Sequence, residues 1–175
     1  CDTNGASFPF EVEGMVKKVV YLFGDTEIGI HSHNDIGMAV ANAVSAVRCG
    51  VTHVQGTCGG FGERCGNMDI CVLIPNLQIK LGYDCVPAEN MELLTNTALS
   101  IAESANVGLD PRTPYVGASA FSHKGGMHSD AVIKSASSYE HIPPEVVGNT
   151  RRVLMSEVAG RSAIMLALKT VDPNI

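Results

Sequence analysis

The residues best suited to chemistry in this chain are two histidines, His31 and His33, separated by a single serine. They end a β-type run that begins at Ile28, and Asn34 and Asp35 follow them directly. Alternate side chains of a strand share a face, so both imidazoles are expected to point the same way, roughly 6.6 Å apart along the chain. Imidazole is the commonest side-chain ligand of divalent transition metals. The pair therefore indicates a metal site, with one open alternative, in which one histidine caps or packs and the other is exposed.

Three other polar residues lie in a glycine-dense segment, residues 56–67, which contains five glycines among twelve residues. Glycine at this density favours turns and close backbone approach, so the segment is predicted to be a functional loop. Asn67 closes the loop, and an isolated asparagine at such a place favours the N-cap of the following helix. In the same loop, Glu63 and Arg64 can pair as surface charges.

The remaining histidines differ in their surroundings. His128 follows a Gly-Gly-Met segment. An imidazole that titrates near neutral pH beside a glycine hinge suits acid–base chemistry, and the alternative is a helix-starting histidine that donates to a backbone carbonyl. His53 lies inside a predicted strand and is expected to pack in the core. His123 and His141 have no partner that the sequence identifies.

The elements that would position these groups alternate between helix and strand. Hydrophobic spacing predicts helices over residues 9–23, 35–49, 69–81 and 89–105, with Ser7 and Asp35 as N-caps of the first two, and strands over 27–33 and 51–56. This alternation is typical of parallel βαβ units, in which ligands gather at the carboxyl ends of the strands. We therefore expect the turn at residues 2–5, the two histidines and the glycine loop to share one face.

A second unit is predicted after Asn106. Residues 110–122 contain two prolines and small residues and are expected to form an extended connection. A compact unit then begins at His123, with a short helix over 131–135, a strand-like run over 153–155 and a helix over 162–169.

Composition excludes several classes of function. The 175 residues have a net charge of −6 and no basic run, so the sequence predicts neither nucleic-acid nor membrane binding. No apolar stretch approaches the ~20 residues that span a bilayer. The six cysteines form no C-x-x-C pair, which favours free thiols of a reducing compartment over a zinc-thiolate site. We expect a soluble, cytoplasmic α/β protein.

Four segments together carry a resemblance to a known family: residues 2–5 (DTNG), 31–35 (HSHND), 62–67 (GERCGN) and 120–128 (AFSHKGGMH). In this order they resemble the 2-isopropylmalate, homocitrate and citramalate synthases, metal-dependent TIM-barrel acyltransferases of the superfamily that contains 3-hydroxy-3-methylglutaryl-CoA lyase. Residues 74–83, 139–142 and 147–149 are most similar to the citramalate synthase branch. Residues 57–60, around Cys58, follow the synthase pattern better than that of the lyase, whose loop holds a catalytic cysteine, so Cys58 is interpreted as a packing residue.

The resemblance implies an α/β fold, the C-terminal portion of a (β/α)8 TIM barrel, followed by a small α-rich linker subdomain. The predicted boundaries are 1–116 for the barrel part and 117–175 for the subdomain, which leads toward a regulatory domain. By the matching motifs the chain begins at about the sixth of eight strands. A complete barrel takes ~250 residues, so this segment is not expected to close one alone.

The resemblance also implies a metal site and a substrate contact. His31, His33 and Asn67 would bind a divalent metal, Mg²⁺, Mn²⁺ or Zn²⁺, and Thr3 would contact the carboxylate of a 2-oxo acid. The family's fourth ligand, an aspartate of a first-strand Asp-Arg-Glu motif, has no counterpart in this chain. His128 and Tyr139, from the linker subdomain, would be catalytic. Glu63 is implied as an acid next to the metal ligands.

The implied activity is a Claisen-type condensation of acetyl-CoA with a 2-oxo acid, pyruvate in the citramalate branch, in branched-chain amino-acid biosynthesis. A homodimer is implied for the full-length enzyme. Three alternatives remain open: another 2-oxo acid, with isopropylmalate or homocitrate as product; a lyase that cleaves a carbon–carbon bond; and a non-catalytic fragment that binds metal or pairs with a complementary barrel half.

Overall fold

The chain folds as two units, which are described separately. The computed structural model describes residues 1–123, 135–153 and 168. The first unit comprises Cys1–Pro87 and Ser100–Val107, and the second comprises the described residues of Ala88–Leu99 and Gly108–Ile175. The two histidines and the glycine loop belong to the first unit, and Tyr139 belongs to the second.

Helices and short strands alternate in the first unit. In chain order they are α1 (Pro9–Phe23), β1 (Gly29–His31), α2 (Ala39–Arg48), β2 (His53–Gln55) and α3 (Ile70–Pro75). Strands β1 and β2 are parallel, with Ile30 opposite Val54 and His31 opposite Gln55. Helix α2 connects them, so the predicted βαβ unit is confirmed. On either side of this pair, isolated parallel bridges join Asp2 to Ser32 and Thr57 to Asp69.

The first unit has its core where α2 packs on α1 and on the strands. Three alanines of α2, at positions 39, 43 and 46, are fully buried and lie on one face of the helix. Their small side chains allow close packing against Val12 and Ile30 on one side and Met68 and Leu73 on the other. Burial of this apolar surface is the main force that holds the strand ends in place.

The two predicted N-caps were wrong. Phe8 precedes α1, and the Glu11 carboxylate accepts the Phe8 N–H at 2.8 Å. The Ser7 hydroxyl donates instead to the Asp2 carboxylate. Helix α2 begins four residues after Asp35. The Asp35 carboxylate accepts hydrogen bonds from a guanidinium described below, and the Asn34 side chain accepts the Ala39 N–H.

The helix predicted over residues 69–81 changes its geometry partway. Asp69 caps α3 by accepting the Cys71 N–H. After Pro75 the chain continues as a π-helical turn, Asn76–Lys80. Proline has no N–H to donate to the carbonyl four residues earlier, which accounts for the change of register at this point.

His53 is exposed, so the prediction that it packs in the core was wrong. Side chains alternate along β2, and Val54 takes the side that faces the core. The His53 ring lies against Gly29 on the neighbouring strand, where a Cβ atom would come within 3.2 Å of it.

The second unit is built from short elements tied by polar side chains. A 3₁₀ turn, Ala88–Leu93, leads into α4 (Leu94–Ser104), whose last residues group with the first unit. Strands β3 (Ser122–His123) and β4 (Arg152–Val153) are parallel. The Asn149 amide donates to the carbonyls of Tyr115 and Gly117.

Several predictions for the second unit lie outside the described residues. The predicted helices over 131–135 and 162–169 are described only at residues 135 and 168. Of the strand predicted over 153–155, only residue 153 is described, and it belongs to β4. Within the described part of the chain, no helix has both the length and the apolar character needed to cross a bilayer.

Candidate metal and substrate site

The site forms where β1 ends and the chain from Asp2 runs beside it. The Asp2 N–H donates to the His31 carbonyl at 2.8 Å, and the His33 N–H donates to the Asp2 carbonyl at 3.3 Å. Between the two histidines, Ser32 is buried and its hydroxyl donates to the Ala39 carbonyl on α2. The backbone that carries both imidazoles is therefore hydrogen-bonded to the chain at Asp2, and the Ser32 side chain between them is hydrogen-bonded to α2.

The two imidazoles are close together. Their ring centroids are 5.0 Å apart in an edge-to-face arrangement, which fulfils the expectation that His31 and His33 share a face. The His33 Nδ1 atom lies 3.3 Å from the Asp2 carbonyl oxygen. If Nδ1 carries the proton, the Nε2 lone pair is left for a cation, which is how second-sphere carbonyls orient histidine ligands.

Asn67 is brought beside this pair by the glycine loop. It forms an antiparallel bridge with His33, and its side-chain amide donates to the Phe61 carbonyl at 2.9 Å. Its side-chain oxygen Oδ1 is buried without a hydrogen-bond partner, as is Oδ1 of Asn42 among the described residues. Asn67 is not the N-cap of the next helix, since Asp69 has that role.

The orphaned oxygen is informative because burying an unpaired polar atom costs about 1–3 kcal/mol. A hard divalent cation prefers an oxygen ligand of this kind, and imidazole nitrogens suit the same ion. The chemistry of His31, His33 and Asn67 therefore fits a divalent metal. Residues 1–123 and 135–153 contain no cluster of three or more His, Cys, Asp or Glu that could hold a metal ion.

Two glycines make the placement of Asn67 possible. A Cβ atom on Gly62 would come within 2.5 Å of the Asn67 Nδ2 atom. At Gly66 the φ angle is +84°, and a Cβ atom there would overlap the Gly60 carbonyl at 2.0 Å. The loop can thus fold back on itself only with glycine at these positions.

Arg64 joins the three motifs, and sequence reasoning missed this role. Its guanidinium donates to both carboxylate oxygens of Asp35, at 2.8 and 2.9 Å, and also to the main-chain carbonyl of Thr3 at 2.9 Å. The hydrogen bond from Arg64 holds the pKa of the Asp35 carboxyl below its usual value. We call Arg64, Asp35 and the Thr3 carbonyl the Arg64 clamp. The prediction that the three motifs lie together is confirmed by these contacts.

The expected pairing of Arg64 with Glu63 is a minor contact, at 4.0 Å. The Glu63 side chain is 88% exposed, and none of the hydrogen bonds in the described chain joins it to His31, His33 or Asn67. Thr3 is also exposed, and its described polar contact is the one through its carbonyl. An arginine inside a glycine-rich loop, with an aspartate two residues after His33, was the available signal for the clamp.

The remaining predicted catalytic residues belong to the second unit. Tyr139 follows a 3₁₀ turn, Ala136–Ser138, and is 48% exposed. His128 lies outside the described residues.

Comparison with known families identifies the chain by two matching regions. Residues 1–102 match the model of the HMGL-like family, and residues 115–175 match that of the homocitrate synthase post-HMGL domain-like family. The chain belongs to the HMGL-like family.

Curated relatives match nearly the whole chain. An (R)-citramalate synthase of Aquifex aeolicus is 52% identical over 99% of this chain and 34% of its own length. One of Synechocystis is 48% identical over 94% of this chain and 31% of its own length. A probable 2-isopropylmalate synthase of Methanopyrus kandleri is 39% identical over 99% of this chain and 34% of its own length. The chain spans about a third of the length of these relatives.

Solved structures support the fold. An HMG-CoA lyase of Bacillus subtilis aligns with a TM-score of 0.51 and 27% identity, over 62% of this chain and 37% of that protein. A second HMG-CoA lyase, from Acinetobacter baumannii in complex with coenzyme A and 3-methylmalate, aligns with a TM-score of 0.50 and 21% identity, over 60% and 35%. The predicted fold class, part of a TIM barrel of this family, is confirmed.

Proposed function

We propose that the full-length protein condenses acetyl-CoA with pyruvate and water to give citramalate and CoA, in branched-chain amino-acid biosynthesis. The observation that carries this proposal is the 48–52% identity to (R)-citramalate synthases along nearly the entire chain. Isopropylmalate and homocitrate synthases also match, at 39% and 35% identity, so the reaction class is shared and the 2-oxo acid distinguishes them.

In this proposal His31, His33 and Asn67 hold a divalent metal. It is supported by the 5.0 Å approach of the two rings, the buried unpaired Oδ1 of Asn67 and the carbonyl behind His33 Nδ1. A bound Mg²⁺, Mn²⁺ or Zn²⁺ supplies Lewis acidity toward the 2-oxo acid. The residues themselves provide a rigid donor set, because each is fixed by backbone hydrogen bonds to a neighbouring segment.

We assign the 2-oxo acid carboxylate to Thr3, whose main chain the Arg64 clamp holds in place. Asp35 neutralises the guanidinium, so that Arg64 acts on Thr3 as a fixed hydrogen-bond donor. His128 is assigned as the acid–base group for the acetyl-CoA methyl proton, with Tyr139 steadying it. Glu63 is assigned as a further acid on the glycine loop. Hydrolysis of the thioester after carbon–carbon bond formation releases CoA.

The substrate is tested by measuring CoA release from acetyl-CoA with pyruvate, 2-oxoisovalerate or 2-oxoglutarate, and by identifying each product by mass spectrometry. We expect kcat/KM to be highest for pyruvate. A preference for either larger acid would reassign the product to isopropylmalate or homocitrate. Cleavage of a 3-hydroxyacyl-CoA without any condensation would make the protein a lyase.

The metal assignment is tested by substituting its ligands in the full-length protein. We expect His31→Ala and Asn67→Ala to lower kcat/KM at least about a thousand-fold, because the loss of a direct ligand removes the Lewis acid. Calorimetric titration with Mn²⁺ gives a readout independent of activity, and His53→Ala, an exposed histidine on the adjacent strand, is the control. Unchanged Mn²⁺ affinity in either ligand variant would refute the assignment.

We further propose a cytoplasmic homodimer and a boundary near residue 116 between barrel and linker subdomain. All six cysteines are free thiols, which supports a reducing compartment. The two family matches meet between residues 102 and 115, which supports the boundary. Sedimentation velocity of the full-length protein tests the dimer.

A further inference from the structure

The second unit buries a carboxylate that the proposed mechanism does not use. The side chain of Glu140 is 3% exposed. Both of its oxygens accept hydrogen bonds from Arg151, Oε1 from Nε at 2.6 Å and Oε2 from Nη2 at 2.5 Å. Oε1 also lies 3.0 Å from Nε2 of His123. We call His123, Glu140 and Arg151 the Glu140 cluster.

The Glu140 cluster joins three separate segments of the second unit. His123 ends β3, Arg151 immediately precedes β4, and Glu140 follows the 3₁₀ turn that ends at Ser138. A buried carboxylate is tolerated only when it is well paired, and a bidentate guanidinium is the strongest pairing available. Arg151, and then His123, hold the pKa of Glu140 below its usual value, so the group is a carboxylate at neutral pH. Its placement is thus fixed by both geometry and charge.

This cluster determines how residues 139–142 lie on the unit. Glu140 points inward, and Ile142 is buried two residues further on. The His141 ring stands edge-on to Tyr115, at a centroid distance of 5.1 Å, and stacks on Phe121 at 6.1 Å. Exposure alternates along this segment, with Tyr139 and His141 exposed and Glu140 and Ile142 buried. Anchoring Glu140 inward therefore leaves Tyr139 on the outer side of the unit, where it is 48% exposed.

We propose that Glu140 is a positioning residue, which through His123 and Arg151 holds Tyr139 in the orientation needed in the active site. The proposal rests on the proposed function, in which Tyr139 serves catalysis. Glu140 itself is too deeply buried to touch a substrate.

The first test is Glu140→Gln in the full-length protein, which keeps the shape of the side chain and removes its charge. We expect kcat for condensation of acetyl-CoA with pyruvate to fall at least ten-fold, while KM for pyruvate changes less than two-fold. Glu89→Gln makes the same change of charge at an exposed position of the second unit and is expected to retain wild-type kcat. Wild-type kcat in Glu140→Gln would overturn the proposal.

A second variant keeps the test valid if Glu140→Gln does not fold. Arg151→Lys retains the positive charge but loses the two-pronged geometry, and we expect a smaller fall in kcat with wild-type circular dichroism. Arg152→Lys, the exposed neighbour, is its control. Equal kcat in both lysine variants would count against a positioning role.

A double-mutant cycle with Tyr139→Phe separates this inference from the proposed function. If Glu140 acts through Tyr139, the double variant loses no more activity than the more damaging single change. Multiplied losses would overturn the inference and leave the role of Tyr139 intact. Wild-type kcat in Tyr139→Phe would remove that role and the inference with it. Absence of condensation in the wild type would instead refute the proposed function.

Discussion

Two arginines in this chain do similar work in different surroundings. Arg64 in the first unit and Arg151 in the second each bind both oxygens of one carboxylate and thereby join segments distant in sequence. The carboxylate side chain of the Arg64 clamp is 22% exposed, and that of the Glu140 cluster is 3% exposed. The two sites therefore share their geometry and differ in solvation.

Solvation decides how much each arginine–carboxylate pair contributes to the free energy of folding. An exposed ion pair is screened by water and salt and adds little to the free energy of folding. The Arg64 clamp therefore orders loops without stabilising the unit appreciably. A buried carboxylate has lost its hydration, so removing its partner leaves an uncompensated charge. The Glu140 cluster is expected to bear on both folding and positioning.

The largest effect on stability should come from Arg151→Ala, because it leaves Glu140 buried and unpaired on one side. We expect a loss of roughly 2–3 kcal/mol in the free energy of unfolding, at the lower end for a broken buried pair since the arginine is partly exposed and His123 remains. Denaturant titration of the full-length protein measures it. Arg152→Ala should stay within about 0.5 kcal/mol of wild type. Equal free energies of unfolding for Arg151→Ala and Arg152→Ala would contradict the view that the Glu140 cluster, unlike the Arg64 clamp, stabilises the fold.

Arg64→Ala should separate function from stability. We expect kcat/KM for pyruvate to fall about ten-fold, because the Thr3 turn and the loop that carries Asn67 lose their common anchor. The denaturation midpoint should remain close to that of wild type. The control is Lys17→Ala, which removes the exposed ion pair between Lys17 and Glu13 on α1 and should retain activity. A loss of stability as large as that of Arg151→Ala would contradict the comparison.

Local patterns in the sequence were sufficient to predict the order of the helices and strands in the first unit. The alternation of helix and strand, the shared face of His31 and His33, and the loop of residues 56–67 all follow from side-chain period and glycine content, and each is present in the structure. These features depend on neighbours in sequence. The caps misplaced at Ser7 and Asp35 show where the approach fails, since each side chain has another partner in the folded protein. The Ser7 hydroxyl donates to Asp2, five residues earlier, and the Asp35 carboxylate accepts from Arg64, 29 residues later.

The polar clusters could not be predicted because their members are far apart in sequence. Glu140 lies 17 residues from His123, and 29 residues separate Arg64 from Asp35. Nothing in the residues around His123 indicates a buried carboxylate partner. The unpaired oxygen of Asn67 was equally hidden, since its amide is turned by the Phe61 carbonyl, a contact that exists only once the glycine loop has closed.

The smallest of the predicted effects concerns acid unfolding. Hydrogen bonds from Arg151 and His123 lower the pKa of Glu140, and one from Arg64 lowers the pKa of Asp35. For a carboxyl whose folded pKa is depressed, the stabilisation is present above the unfolded pKa, about 4.3 for Glu and 3.9 for Asp, and is lost as the pH falls through the folded pKa. Wild type should therefore lose stability below about pH 4 more steeply than Glu140→Gln.

Salt separates the two carboxyls in the same experiment. The difference between wild type and Asp35→Asn at low pH should disappear in about 0.5 M salt, because that pair is exposed and the screening length is then only a few ångströms. The difference for Glu140→Gln should persist, since water and ions do not reach its carboxylate. Unfolding curves measured from pH 3 to 7 at two salt concentrations provide both comparisons. If stability falls equally steeply at low pH in wild type and in Glu140→Gln, burial of Glu140 makes no contribution to acid unfolding beyond that of an exposed ion pair such as the Arg64 clamp.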